Sequence, residues 1–396
     1  MTGILRRLSE EGVSLWLDGL GRDRLADGGL AALVGDRSVA GALAAPGTGP
    51  AYHQQLAELA ARGASATVAL RELTVRDLRR ACELLDPVHR CTAGLDGLVS
   101  AAVDPAFARG TLAALAEART LHQAVDRPNL LVELPATTEA LPAVTRCLAE
   151  GIGVHVSLVL SPERYGQVLE AFVTGLELAA EQGRDVSRIN SVAEVPVGLL
   201  DAVVDHALEA VGTEEAKAFR GQAGPALARI AYRRYEREFG SERWTVLAAL
   251  GARPQRLLWS RTEVREPSGR RGTRYVDELV APNSVTAVTE ATLAEVRDHG
   301  RPAPAQRFAA GYADAERVLG YLEWFGLDLA GLLTELEREA LAGLRRTRTE
   351  LLESVLARLT EARAARAAAD GAAPAGAAPG PAPDGPLGHE PARARR

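Results

Sequence analysis

Eight short apolar runs recur between residues 13 and 282, separated by longer stretches of amphipathic character. They are VSLWLD (13–18), SVAGAL (38–43), GLVSAAV (97–103), NLLVEL (129–134), GVHVSLVL (153–160), INSVAEVPV (189–197), QRLLWSRT (255–262) and ELVAP (278–282). Each has strand length and strand composition. Strands that alternate with helices must form a parallel sheet with helices on its faces, and eight such units close most simply into a (β/α)8 TIM barrel. No phosphate-loop or dinucleotide fingerprint stands at the first strand-to-helix turn. That argues against the open, doubly wound alternative.

The intervening stretches fit helices. SPERYGQVLEAFVTGLELAAEQG opens on Ser161, a suitable N-cap, carries Glu163 in its first turn and stops before Gly183. A helical region from about Asp314 to Glu361 should pack back on the barrel. Residues 1–361 therefore read as one barrel unit with extra C-terminal helices. Residues 362–396 are mostly Ala, Pro, Gly and Arg and are expected to form a disordered tail, since they hold too little apolar surface to offset ordering.

Composition narrows the function classes. Apolar residues make up 47% of the 396, enough for a large core, and the net charge of −6 with no dominant basic patch argues against nucleic acid. Cys82, Cys91 and Cys147 are too few and too scattered for a disulfide framework or a zinc site, so no metal is expected. No apolar leader follows Met1 and no window is apolar enough to span a bilayer. The expectation is a cytoplasmic protein without membrane contact.

Alternate side chains of a barrel strand point inward, and barrel active sites lie at the C-terminal ends of the strands. In GVHVSLVL, Val154, Val156, Leu158 and Leu160 form an apolar face suited to the helix layer, leaving Gly153, His155, Ser157 and Val159 inside. Ser100 and Ala102 share the inward parity on the third strand, Glu133 on the fourth, and Arg261 and Glu263 share a face with Trp259 on the seventh. One mouth thus gathers Asp18, Glu133, His155, Ser157, Glu194 and Arg261. Each also has a plain structural reading: Asp18 as a turn cap, His155 as a satisfied core histidine, Ser157 as an ordinary strand serine. Glu133 resists one, because a buried carboxylate without a partner takes up a proton instead. Arg261 is its expected partner.

Several of these segments, LSEEGVSLWLDGL, NLLVELPAT, GIGVHVSLVLSPERY, INSVAEVPV, GTEEAKAFRGQAG and RLLWSRTEVREP with YVDELVAPNSV, resemble transaldolases of the actinobacterial type, in order from about Leu8 to Glu350. The resemblance implies transfer of a dihydroxyacetone unit between sedoheptulose 7-phosphate and glyceraldehyde 3-phosphate, in the pentose phosphate pathway, through a lysine Schiff base and without a cofactor. Matched position by position, it implies that Asp18 is the proton-handling aspartate and that Ser157 stands for a threonine. The lysine position is Glu133. The asparagine positions are Ala45, followed by a kept Pro46, and His155. The third-strand glutamate position is Ala102. The phosphate-binding serine and arginine fall at Glu194 and Leu199, and a small seventh-strand residue is Arg261. Lys217 is the only lysine in the chain and lies outside the strands.

A carboxylate forms no imine, so three readings follow. The first is a pseudoenzyme that binds a sugar-like ligand or a protein partner. The second is a repurposed barrel in which Asp18, Glu133 and His155 do acid–base chemistry on a non-phosphorylated substrate. The third is an active transaldolase with a displaced nucleophile.

Overall fold

The computed structural model describes residues 3–45, 47–263 and 272–371. Eight strands form a closed, all-parallel barrel in chain order: β1 Val13–Leu20, β2 Gly41–Ala44, β3 Leu98–Ala102, β4 Leu130–Pro135, β5 Val154–Ser157, β6 Ser191–Pro196, β7 Arg256–Ser260 and β8 Ser284–Val288. Closure comes from β8, which pairs with β1 over Ser284–Val288 against Val13–Leu17. This is the expected TIM barrel.

Its eighth strand is not the expected one. ELVAP closes the short helix Arg274–Glu278 and leads on, buried, through Leu279, Val280 and Ala281. Pro282 then meets Asn283, which takes a left-handed φ of 56°. That turn sets the start of the true strand, SVTAV, with its polar and apolar residues in alternation.

The barrel interior is layered. Trp16, Leu98, Leu131, Val192, Leu258 and Val285 fill its lower part as one apolar cluster. Gly41 on β2 makes room for the Trp16 indole, since a Cβ there would stand 2.6 Å from the ring. Below it, at the N-terminal ends of the strands, Arg256 is almost fully enclosed. Its guanidinium donates to Asp96 Oδ1 at 2.8 Å, Ser14 Oγ at 2.6 Å and the Ser284 carbonyl at 2.8 Å. Most outward strand faces feed the larger core beneath the helices, where Trp259 stacks on Phe308, while Val13, Leu15 and Val288 join a smaller cluster with Leu5, Leu8 and Leu293.

Ser161 caps the helix Pro162–Glu181 as expected, accepting from the Arg164 amide at 3.0 Å. The C-terminal region forms the helices Tyr312–Trp324 and Leu329–Gly371. The second of these continues through 362–371, ten residues that the composition had assigned to the tail. The remainder of that tail, 372–396, lies outside the described residues, as does Pro46. The long helix is fixed at two places. Leu333 and Leu336 enter the main core, while Val355 and Leu359 pack with Leu56, Leu59, Leu70 and Leu73. Between them Arg348 pairs with Asp104 at 3.1 Å, and Ser354 meets Thr48 at 2.7 Å.

Among the described residues, no helix is long and apolar enough to cross a membrane. All three cysteines are free thiols, Cys82 and Cys147 buried and Cys91 exposed.

Candidate active site

The strand registers bring the sequence candidates to one level. Ala102 pairs with Glu133, and Glu133 with His155, so three neighbouring strands offer side chains at the same height of the mouth. His155 is the centre. Its side chain is 1% exposed, against 23% for Glu133 and 14% for Glu194. Nδ1 lies 2.7 Å from Ser100 Oγ and 3.7 Å from Glu133 Oε2. Nε2 lies 3.4 Å from Glu194 Oε2. Glu194 Oε1 accepts a hydrogen bond from Ser260, and the Ser157 hydroxyl beside Glu133 favours its ionised form.

These contacts shift the titrations in different directions. Burial pushes the Glu133 carboxyl up; the His155 charge opposes it, and Glu194 and Asp18 add repulsion. Burial also works against ionised Glu194, but His155, Ser260 and Arg261 outweigh it and hold this carboxyl below the usual range. For His155, burial disfavours the cation, yet Glu133, Glu194 and Asp18 together raise it above the ordinary histidine value. Asp18 is raised chiefly by burial, against the pull of Arg261. The ring is thus flanked by two carboxyl groups whose proton affinities are pushed in opposite directions.

No ion pair joins Glu133 to Arg261 among the described residues; the cationic partner of Glu133 is His155. The expected compensating pair therefore does not form. The seventh-strand parity explains why. Trp259 points into the helix layer, so the inward residue is Ser260, which sequence reasoning missed. A bulky aromatic on an otherwise apolar strand marks the helix-facing parity, and that signal was available. Arg261 reaches the mouth by another route: just past the strand end its backbone takes a left-handed φ of 53°. Leu158 does the same beyond β5, with φ 58°. It faces the mouth, not the helix layer, while Val159 is buried in the outer core. Non-glycine residues in this region are strained, and such strain gathers at functional sites.

A cavity of about 550 Å³ opens above this row. Glu133, Ser157, Leu158, Glu194 and Arg261 line it from the strand ends, Leu199 from the helix Val197–Val211, and Gly343, Leu344, Arg346, Thr347 and Glu350 from the helix Leu329–Gly371. Ala45 and Ala102 are exposed at the ends of β2 and β3, offering methyl groups only. Asp18 lies on β1, outside the cavity wall, and acts on Glu133 and His155 by its charge. Lys217 sits on the outer helix Glu214–Lys217, its ammonium 2.9 Å from Glu214. It is not part of the cavity wall. Among the described residues, no group of three or more His, Cys, Asp or Glu side chains is arranged to hold a metal ion.

Residues 15–355 match the family profile of transaldolase/fructose-6-phosphate aldolase. The chain belongs to the transaldolase family. It is 46% identical over 370 residues to a transaldolase of Acidothermus cellulolyticus, covering 92% of this chain and 99% of the relative. It is 45% identical over 363 residues to the Thermobifida fusca transaldolase and 43% identical over 362 residues to transaldolase 1 of Streptomyces avermitilis. The coverage of whole chains fits the complete barrel seen here.

Proposed function

We propose that this transaldolase-family barrel binds a polyhydroxylated small molecule and works on it by acid–base chemistry, without the family's imine step. The make-up of the mouth carries this reading. A carboxylate, Glu133, stands at the position where the resemblance calls for the lysine. The single lysine of the chain is bound to Glu214 on an outer helix. A carboxylate has no nitrogen from which to build a C=N bond, whatever its protonation state. Glu133 and Glu194 have instead the divided proton affinities that suit an acid and a base, and the open cavity supports a working ligand site. With Leu199 in the cavity wall where the resemblance calls for the phosphate arginine, a bidentate anion contact is missing there. An unphosphorylated ligand fits the loss of that contact, and a phosphate would have to use Arg261, Arg274 or Arg346 elsewhere in the wall instead.

The relatives' shared name, transaldolase, favours a second reading, the family reaction itself, in which a dihydroxyacetone unit passes between sugar phosphates. On similarity alone this reading is the stronger one. It requires a nucleophile other than a strand lysine.

Borohydride trapping with fructose 6-phosphate separates the two. The first reading expects no covalent adduct with the natural chain and a new adduct with Glu133→Lys. An adduct with the natural chain sinks it in favour of the second. Thermal-shift screening with free sugars and sugar phosphates then reports the ligand, since binding raises stability by mass action. No response across a broad panel would leave a non-catalytic role through a protein partner as the surviving account.

A further inference from the structure

Two carboxylates share one imidazole at the mouth, and the shares are unequal. His155 has two ring nitrogens to satisfy and is closed off from solvent. Ser100 Oγ occupies Nδ1 at 2.7 Å. Glu194 faces Nε2 at 3.4 Å, and its other oxygen is held by Ser260. Glu133 approaches only Nδ1, at 3.7 Å, beyond hydrogen-bond reach and at a nitrogen already engaged by Ser100. On a protonated ring Nδ1–H is therefore committed to Ser100, while Nε2–H, buried and without a close hydrogen bond, faces the Glu194 carboxylate alone, so neither serves Glu133.

We propose that Ser100 is a positioning residue: by engaging His155 Nδ1 it reserves the imidazolium for Glu194 and leaves Glu133 as a carboxylic acid, the group that carries the exchangeable proton of the cavity. The surrounding charges favour this. Glu133 feels the repulsion of Glu194 on β6 and Asp18 on β1, with His155 and the Ser157 hydroxyl on β5 as its counterweights. The Arg261 guanidinium acts on Glu194 and Asp18. Raised Glu133 and lowered Glu194 are the directions this geometry requires.

The consequence deepens the acid–base reading and rests on it. A neutral carboxyl donates a hydrogen bond to a carbonyl or hydroxyl oxygen, where a carboxylate would repel it. In turnover its proton would pass to a ligand oxygen developing negative charge, an O–H bond forming as the Glu133 O–H bond breaks. An uncharged polyhydroxy carbonyl compound is the ligand class this suits.

Infrared difference spectroscopy on the full chain tests the proton assignment without requiring turnover. Subtracting Glu133→Gln from the natural protein at neutral pH should reveal a protonated-carboxyl band. Ser100→Ala frees Nδ1–H to turn toward Glu133, so the band should titrate away at lower pH. Glu194→Gln should move it the same way by removing the repelling charge. Ser100→Thr returns the hydroxyl and should restore the titration, and a thermal melt of each variant verifies folding. Absence of the band at neutral pH overturns the proposal. So does a titration unmoved in both Ser100→Ala and Glu194→Gln. Borohydride trapping addresses the imine question separately, so failure of either idea is readable without the other.

Discussion

The two ends of this barrel use the same kinds of group to opposite effect. At the N-terminal end the Arg256 guanidinium meets Asp96, Ser14 and a carbonyl of β8, each within hydrogen-bond distance. At the C-terminal end two glutamates compete for one histidine, an aspartate adds repulsion, and two residues beside them hold left-handed backbones. The lower network ties strands of the barrel to one another. The upper one is left out of balance, which on the proposed acid–base reading suits groups that exchange protons. The difference teaches that polar content in a barrel core is not in itself a sign of function. Incomplete pairing is.

If the contrast is real, Arg256→Leu should cost the most. It removes the cation from half-buried Asp96, which keeps only the Ser14 hydroxyl, and breaking a buried pair costs up to about 3–5 kcal/mol; chemical denaturation would read it. Gly198→Ala comes next. A Cβ there would stand 2.0 Å from the Arg261 carbonyl oxygen. The overpacking should cost about 1–3 kcal/mol and displace Arg261, so ligand-induced thermal shifts should weaken as well. Glu133→Gln tests the upper end from the other side. Its carboxyl is held there against burial, so replacement should leave stability unchanged or raise it by up to about 1 kcal/mol. A loss comparable with Arg256→Leu would erase the distinction between the ends. Lys217→Ala, at the bottom of the scale, should leave both the melting temperature and any sugar response unaltered.

The pH dependence sharpens the same comparison. Burial disfavours the His155 cation, but Glu133 and Glu194 prevail and raise its proton affinity in the folded state. Its stabilising contribution is then complete below the unfolded histidine value, about 6.5, and is lost as pH rises through the folded value. The stability gap between the natural chain and His155→Gln should therefore narrow on the alkaline side in melts run across pH. Glu194 works in the reverse sense. Its lowered carboxyl contributes above the ordinary glutamate value and that contribution fades as pH falls through the folded value.

Most of the barrel was legible because a strand buried under helices must be apolar and bounded by turn residues, as VSLWLD and NLLVEL are. ELVAP misled because burial alone makes a linker look like a strand, whereas Pro282 and Asn283 carried the boundary. In the site, Glu133, His155, Ser157 and Glu194 were readable by parity while the strand lasted. Parity fails at its end, and there Leu158 turned inward instead of outward. The Glu133–Arg261 pairing is absent for the related reason that Trp259 faces the helix layer and Ser260 the barrel interior. The length of the last helix was hidden by composition, since an Ala- and Arg-rich run suits a helix end as well as a tail.

The helix Leu329–Gly371 supplies part of the cavity wall without being part of the barrel. What the molecule recognises is thus written on two separable texts. On the proposed reading strand ends supply the reactive groups, and one strap, riveted at Leu333 and Val355, supplies the shape of the opposite side. Exchanging residues 340–350 between relatives would redraw the ligand's outline while the proton-handling row below stayed as it is.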